Sequence, residues 1–130
     1  MSTVTEILKA AEDNINSILP HKGNKYLRNL MEAAYVPEKK FLLPEGNPPY
    51  KPNGMHEAQV EPGIFWQICK KIDIFQRPEM KTVRREMQFI QALESVSAID
   101  AEILLAVKDQ KLAKKFKGLT LKKLTEIGYF

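Results

Sequence analysis

Residues 42–53 have the sequence LLPEGNPPYKPN, which can continue neither a helix nor a strand. Each proline fixes its own backbone angle and biases the residue before it toward an extended conformation. The wider segment 37–62 holds six of the eight prolines of the chain, together with Gly46 and Gly54, and has neither helical nor alternating periodicity. We therefore predict a long, semi-rigid loop that separates two helical parts of the chain.

Two helices are predicted before this loop. The first has apolar residues at three- and four-residue steps, and Thr3 with Glu6 has the spacing of a capping box. Pro20 is predicted to end it, Asn24 to cap the second helix, and Pro37 to end the second helix. The predicted apolar faces are Val4, Ile7, Leu8, Ala11, Ile15, Ile18 and Leu19 in the first helix, and Tyr26, Leu27, Leu30, Met31 and Ala34 in the second.

Four shorter helices are predicted after the loop. Pro62 and Pro78 can serve as first-turn prolines of the third and fourth, Ser97 opens the fifth, and Thr120 caps a short last helix that Gly128 closes. The predicted inward residues are Ile64, Phe65, Ile68, Ile72 and Phe75 in the third helix; Met80, Val83, Met87, Ile90 and Leu93 in the fourth, with Lys81, Arg84, Arg85 and Glu86 facing water; Ile99, Ile103, Leu104 and Val107 as a narrow seam in the fifth; and Leu121, Leu124 and Ile127 in the last.

These patterns predict a single all-α domain, residues 1–130. It is a compact bundle of about five to six short helices, with the ordered proline-rich loop 37–62 between helices two and three. A chain of this length can bury about two thirds of the surface that its unfolded form exposes, so it can fold without disulfides or a structural metal ion. The single cysteine, Cys69, suits a reducing compartment, and the N-terminal residues form no continuous apolar run. We expect a soluble intracellular protein without a membrane span.

The proline-rich loop has two interpretations. Its prolines leave little conformational entropy to lose, which suits a docking arm for another protein. Phe41, Leu42, Leu43 and Tyr50 can instead pin it across the helices as a structural strap. The candidate partner-binding residues in the loop are Pro48, Pro49, Tyr50 and Lys51.

The sequence gives no pattern typical of catalysis, so we expect no enzyme, no cofactor, no metal and no small-molecule substrate. No isolated glycine begins a lysine-bearing phosphate loop. Cys69 is predicted to be a small buried hydrophobe, and Trp66 to lie at the margin of the core. The remaining candidates are predicted to be ordinary surface groups: His21, His56, Glu57 and Glu61.

The excess of basic over acidic residues lies in segment 108–123, which has seven lysines and one acid, so the rest of the chain is slightly acidic despite a net charge of +4. Three interpretations remain open: a solvated helix end, a surface for nucleic-acid phosphates, and a surface for an acidic protein. The segment has no arginine, the usual reader of base edges, so nucleic-acid binding here would be driven by the backbone. The candidate residues are Lys111, Lys114, Lys115 and Lys117.

Three stretches together resemble a family of small proteins encoded by T4-like bacteriophages, and among them the RNA polymerase-binding proteins of these phages. They are LLPEGNPPYKPN, REMQFIQALESVSAIDAEILLAVKDQKL and KGLTLKKL, within residues 41–124. The resemblance implies a non-enzymatic accessory protein that binds the host's bacterial RNA polymerase core in the host cytoplasm and modulates transcription. It brings no catalytic or contact residues, so the candidate residues rest on physical chemistry alone.

Two other classes compete with this expectation. A direct nucleic-acid-binding protein of phage replication or transcription would use the lysines on DNA phosphates. An inhibitor of a host enzyme or defence protein is the third hypothesis.

Overall fold

The computed structural model describes residues 2–52 and 63–130, and within these ranges every regular element is helical. The all-α bundle predicted from the sequence is therefore confirmed. Predictions that involve Gly54, His56, Glu57, Glu61 and Pro62 lie outside the described residues. The α-helices are α1 (Val4–Asp13), α2 (Lys25–Tyr35), α3 (Gly63–Lys70), α4 (Thr82–Ser95), α5 (Ala98–Lys108), α6 (Leu112–Lys115) and α7 (Leu121–Glu126), with 3₁₀ helices at Ile15–His21, Pro37–Lys39 and Ile72–Gln76.

Helix α5 lies at the centre of the bundle and packs against α1, α2, α4 and α6. The buried surface of α5 is wider than the narrow apolar seam that was predicted. Neighbouring helices cover α5 on several sides, and a helix in that position is apolar over most of its surface. Ile99, predicted to face inward, is only half-buried. The buried residues of α5 are Ala101, Ile103, Leu104, Leu105, Val107 and Lys108.

The first predicted helix is divided in two. Helix α1 ends at Asp13, and Asn14 adopts an extended conformation with φ −146°. The Asn14 side chain accepts a hydrogen bond from the backbone amide of Asn16 and caps the 3₁₀ helix that contains Pro20. Asparagine competes in this way for backbone groups, which explains why one apolar face is carried by two short helices.

Helix α2 begins and ends as predicted. The Asn24 side chain accepts hydrogen bonds from the amides of Tyr26 and Leu27, and the helix ends before Pro37. Tyr26 is exposed, contrary to its predicted place on the apolar face. The face that is buried consists of Leu27, Leu30, Met31, Ala33 and Ala34.

The predicted rotation of helix α4 is wrong. Val83 and Met87 were expected inside but are 69% and 56% exposed, whereas Phe89 is buried. The cause is a three-ring cluster in which the Phe89 ring lies 5.3 Å from Phe75 and 6.0 Å from Phe41, centroid to centroid. Pro78 precedes the helix by four residues and does not lie in its first turn.

The C-terminal segment follows the sequence prediction more closely. Thr120 caps α7, and Gly118 and Gly128 have φ values of +87° and +85°. Leu121 is exposed, whereas Leu124 is buried. Cys69 and Trp66 are buried, and both belong to the hydrophobic core. Across the described ranges, no helix has the length and apolarity needed to span a bilayer.

Candidate protein-docking surface

Residues 40–52, which we call the strap, run across the helices, and the strap is anchored where it begins. The Phe41 ring is buried and lies 5.0 Å from Phe75, centroid to centroid. The backbone amide of Leu42 donates to the carbonyl oxygen of Phe75 at 2.8 Å. Aromatic packing and a backbone hydrogen bond therefore fix the entry of the strap.

A buried arginine holds the next part of the strap. Arg85 is only 7% exposed, and its guanidinium carries no carboxylate partner within the described residues. Its Nε donates to the carbonyl oxygen of Leu42 at 2.6 Å, and its Nη1 donates to the carbonyls of Arg77 and Met80 at 3.0 and 2.8 Å. A buried cation requires such partners, and here three backbone dipoles provide them.

A buried lysine holds the turn of the strap. The ammonium of Lys108, a residue only 1% exposed, donates to the carbonyl oxygen of Pro44 at 2.7 Å and pairs with Asp109 at 2.5 Å. The second carboxylate oxygen of Asp109 accepts from the Gly46 amide at 3.3 Å. Gly46 has φ +87°, a conformation that glycine adopts without strain. One ion pair thus connects α5 to both sides of this turn.

The far end of the strap is tied to the other end of α4. The backbone amide of Lys51 donates to the Glu94 carboxylate at 2.7 Å. Between these attachments, Pro48 and Pro49 line a cavity of about 320 Å³ with Phe89 and Ile90 of α4. The described part of the loop therefore lies along the bundle, which favours the strap interpretation.

The strap also leaves part of its surface free for contacts. Pro49 and Lys51 are exposed, whereas Pro48 and Tyr50 are half-buried. Tyr50 packs against the hydrophobic core. Because the backbone is already fixed, a partner that contacts Pro49 and Lys51 loses little conformational entropy of this segment.

The candidate lysines differ in their surroundings. Lys111, Lys114 and Lys117 are exposed, while Lys115 is half-buried and pairs with Glu102 at 2.9 Å. Lys108, counted with the basic segment in the sequence, is buried and contributes nothing to its surface. The turn of the strap lies against the start of the segment that carries the exposed lysines, because Gly46 contacts Asp109, two residues before Lys111.

Sequence reasoning missed both buried cations. Arg85 was predicted to face water, yet it lies four residues from Phe89, on the buried face of α4. Lys108 lies four residues from Leu104, on the buried face of α5. For Lys108, the four-residue spacing to the predicted core residue Leu104 was a signal in the sequence. Arg85 had no such signal, because Phe89 was not among the predicted inward residues of its helix.

Burial keeps two reactive side chains, Cys69 and Tyr35, in their neutral forms. Burial raises the pKa of the Cys69 thiol above its ordinary value, so the thiol stays protonated at neutral pH. Burial also raises the pKa of Tyr35, whose hydroxyl donates to the carbonyl of Leu119. His21 is half-buried at the end of its 3₁₀ helix. No cluster of three or more His, Cys, Asp or Glu side chains suited to a metal ion occurs in the described part of the chain.

Comparison with known proteins gives a family but no characterised relative. Residues 4–114 match a family of unknown function, DUF6433. No curated protein and no solved structure matches the chain. The matched range includes the strap and both buried cations, Arg85 and Lys108. The chain therefore belongs to the family of unknown function DUF6433.

Proposed function

We propose that this chain is a non-enzymatic phage accessory protein that binds the host's bacterial RNA polymerase core and modulates transcription in the host cytoplasm. The resemblance of residues 41–124 to small proteins of T4-like bacteriophages supports the choice of partner. The observation that carries the choice of surface is the attachment of the strap to Arg85 and Lys108. Together with the hydrogen bond from the Lys51 amide to Glu94, these contacts attach the strap on both sides of the exposed Pro49.

The neighbouring lysines add a long-range component to this docking surface. Lys111, Lys114 and Lys117 are exposed, and the segment that carries them begins beside the turn of the strap. Acidic surface around the nucleic-acid channels of a polymerase would attract these cations and increase the association rate. The strap would then provide the short-range, shape-specific contact.

Purified RNA polymerase core tests the proposal directly. The tagged protein is incubated with core enzyme in the presence of a nuclease, and retention is measured over a series of salt concentrations. We expect retention without nucleic acid, and a loss of roughly tenfold in affinity for the double variant Pro49→Ala with Lys51→Glu. Lys25→Glu, the same charge change at an exposed position of α2, is the control and should bind normally. Absence of retention by core enzyme in wild-type protein rejects the proposal.

Direct binding to nucleic-acid phosphates is the second candidate. The exposure of Lys111, Lys114 and Lys117 on one short segment favours it. A mobility shift of plain DNA that fades steeply with salt and is lost on changing these three lysines to glutamate would support it. A polymerase adaptor that docks by its strap would keep most of its polymerase binding in the same triple variant. Wild-type protein that leaves DNA unshifted at low salt would eliminate this candidate.

A further inference from the structure

The cavity of about 320 Å³ that the strap forms with α4 and α5 has mainly apolar walls. Phe89 and Ile90 of α4 contribute to these walls, together with Leu43, Pro48 and Pro49 of the strap. An apolar cavity of about 150 Å³ admits benzene, so this one has room for an aromatic ring with a substituent. Phenylalanine and proline rings both pack well against a further aromatic ring. The walls therefore favour an aromatic ligand.

One buried hydrogen-bond donor belongs to the wall of this cavity. Lys108 lines the cavity and is only 1% exposed. Its ammonium has three N–H groups, and two of them have acceptors, the carbonyl oxygen of Pro44 and the carboxylate of Asp109. Among the described residues there is no acceptor for the third. Because an unsatisfied buried donor costs free energy, a ligand oxygen that accepts this hydrogen bond would bind better than an apolar ligand of the same shape.

The charged groups around the cavity favour a neutral ligand. The charge of Lys108 is balanced by Asp109, and that of Glu45, which also lines the cavity, is balanced by Lys40. Glu86 of α4 lines the cavity too, is half-buried, and forms no ion pair with another described residue. This unbalanced carboxylate disfavours an anion, and the buried ammonium disfavours a cation beside it.

These three properties select one class of ligand. We infer that the cavity is a binding site for a neutral phenol, the chemical class of the tyrosine side chain. The aromatic ring packs against Phe89 and the prolines of the strap, and the phenol oxygen accepts a hydrogen bond from the Lys108 ammonium. A phenol is neutral at pH 7, since its pKa is about 10. The inference concerns the isolated chain and does not depend on the proposed polymerase partner.

Titration of isotope-labelled protein with p-cresol, followed by NMR, tests the inference. We expect p-cresol to shift the amide signals of Gly46 and Phe89, with a dissociation constant in the millimolar range that suits so small a ligand. Toluene has the same ring and methyl group but no hydroxyl. It should bind roughly tenfold more weakly, judged from the initial slope of the shifts, because it leaves the Lys108 donor without an acceptor.

Either of two results in wild-type protein would overturn the inference. Signals of Gly46 and Phe89 that stay unchanged at about 10 mM p-cresol would show that the cavity admits no phenol, including the case in which another part of the chain fills it. Equal binding of p-cresol and toluene would show that Lys108 donates no hydrogen bond to the ligand. This comparison of two ligands does not depend on the folding of any variant.

A pair of tryptophan variants locates the site. Ile90→Trp should fill the cavity from α4 and weaken p-cresol binding by more than tenfold. Val83→Trp is the matched control, because Val83 is an exposed aliphatic residue on the same helix that does not line the cavity. It should bind p-cresol normally. Circular dichroism checks first that both variants keep the helical content of wild-type protein. Undiminished binding by a folded Ile90→Trp variant would place the site elsewhere and overturn the inference.

Competition with RNA polymerase core distinguishes two sources of the phenol. Release of the protein from core enzyme by p-cresol, but not by toluene, would support a tyrosine side chain of the partner as the natural occupant. Unchanged retention at a p-cresol concentration that saturates the NMR shifts would support a free phenol. If core enzyme does not retain the protein at all, the proposed function fails while the NMR titration still decides the phenol site.

Discussion

The guanidinium Nε of Arg85 donates a 2.6 Å hydrogen bond to the carbonyl oxygen of Leu42, a residue 43 positions earlier in the chain. The same guanidinium binds the carbonyls of Arg77 and Met80, which lie in the turn before α4. One side chain therefore fixes both the entry of the strap and the approach to the helix that the strap crosses.

Replacing Arg85 with methionine should destabilise the fold. The variant keeps most of the apolar stem but leaves three carbonyl oxygens without their charged donor, so we expect the free energy of unfolding to fall by about 2–4 kcal/mol. Urea denaturation followed by circular dichroism measures the change. Arg84→Met is the matched control, because Arg84 is the exposed neighbour on the same helix, and its effect should stay within about 0.5 kcal/mol. Equal effects of the two substitutions would mean that the contacts of Arg85 add no net stability.

Lys108→Met should release the turn of the strap. Without the ammonium, the carbonyl of Pro44 loses its donor and Asp109 loses its counter-ion, so we expect a loss of about 3 kcal/mol in the free energy of unfolding. In native-state hydrogen exchange, the Gly46 amide should exchange faster, because its acceptor is the carboxylate of Asp109.

The exchange pattern separates a local effect from a global one. Under native conditions the Leu42 amide should stay protected in the Lys108→Met variant, because its acceptor is the carbonyl of Phe75 in the aromatic cluster. Lys111→Met, at an exposed lysine of the same segment, should leave both amides unchanged. Unaltered Gly46 exchange in Lys108→Met would contradict the role assigned to this ion pair.

The sequence was sufficient for those features that depend on neighbours in the chain. A helix cap joins a side chain to an amide two or three residues later, so the amino-acid pattern contains both partners. All four predicted N-caps are present, each with a side-chain oxygen that accepts a backbone amide: Thr3, Asn24, Ser97 and Thr120.

The rotation of α4 could not be predicted in the same way. The helix has two sets of apolar residues, one containing Val83 and Met87 and the other containing Phe89 and Leu93. Helical spacing alone does not determine which of the two sets faces the core. The choice depends on Phe41 and Phe75, which are distant in sequence and meet Phe89 only in the folded protein.

The prediction of the candidate site was wrong at two charged residues for a related reason. A rule that places charge in water puts Arg85 and Lys108 outside the core. Both have long apolar stems, and the strap brings carbonyl oxygens to their charged ends. The sequence could suggest a rigid loop, but it could not show which cations would hold that loop.

Gly118→Ala should destabilise the connection between α6 and α7. Gly118 has φ +87°, where a Cβ atom is strained, although the added atom would meet only the Lys123 ammonium at 3.7 Å. We expect a loss of about 1 kcal/mol from the backbone conformation alone. Gly23→Ala is the control, because nothing lies within 4 Å of the added atom and its φ is not positive. That variant should be neutral or more stable by about 0.4–1 kcal/mol. Thermal unfolding of both variants measures the difference, and a loss at Gly23 with none at Gly118 would contradict this account.

Tyr129 should make the protein sensitive to alkali. Burial raises the pKa of Tyr129 to about 12 from its ordinary value of 10, although the nearby Arg28 charge acts in the opposite direction. The unfolded chain therefore loses this proton first, so the free energy of unfolding should fall as the pH rises from 10 to 12.

The Tyr129 hydroxyl is buried and finds no hydrogen-bond acceptor or donor among the described residues. Tyr129→Phe should thus change stability at pH 8 by no more than about 1 kcal/mol and should reduce the loss above pH 10. Urea denaturation at pH 8 and above pH 10 measures the effect, and Tyr26→Phe, at an exposed tyrosine, is the control. If Tyr129→Phe loses as much stability above pH 10 as wild-type protein does, ionisation of Tyr129 is not what weakens the fold.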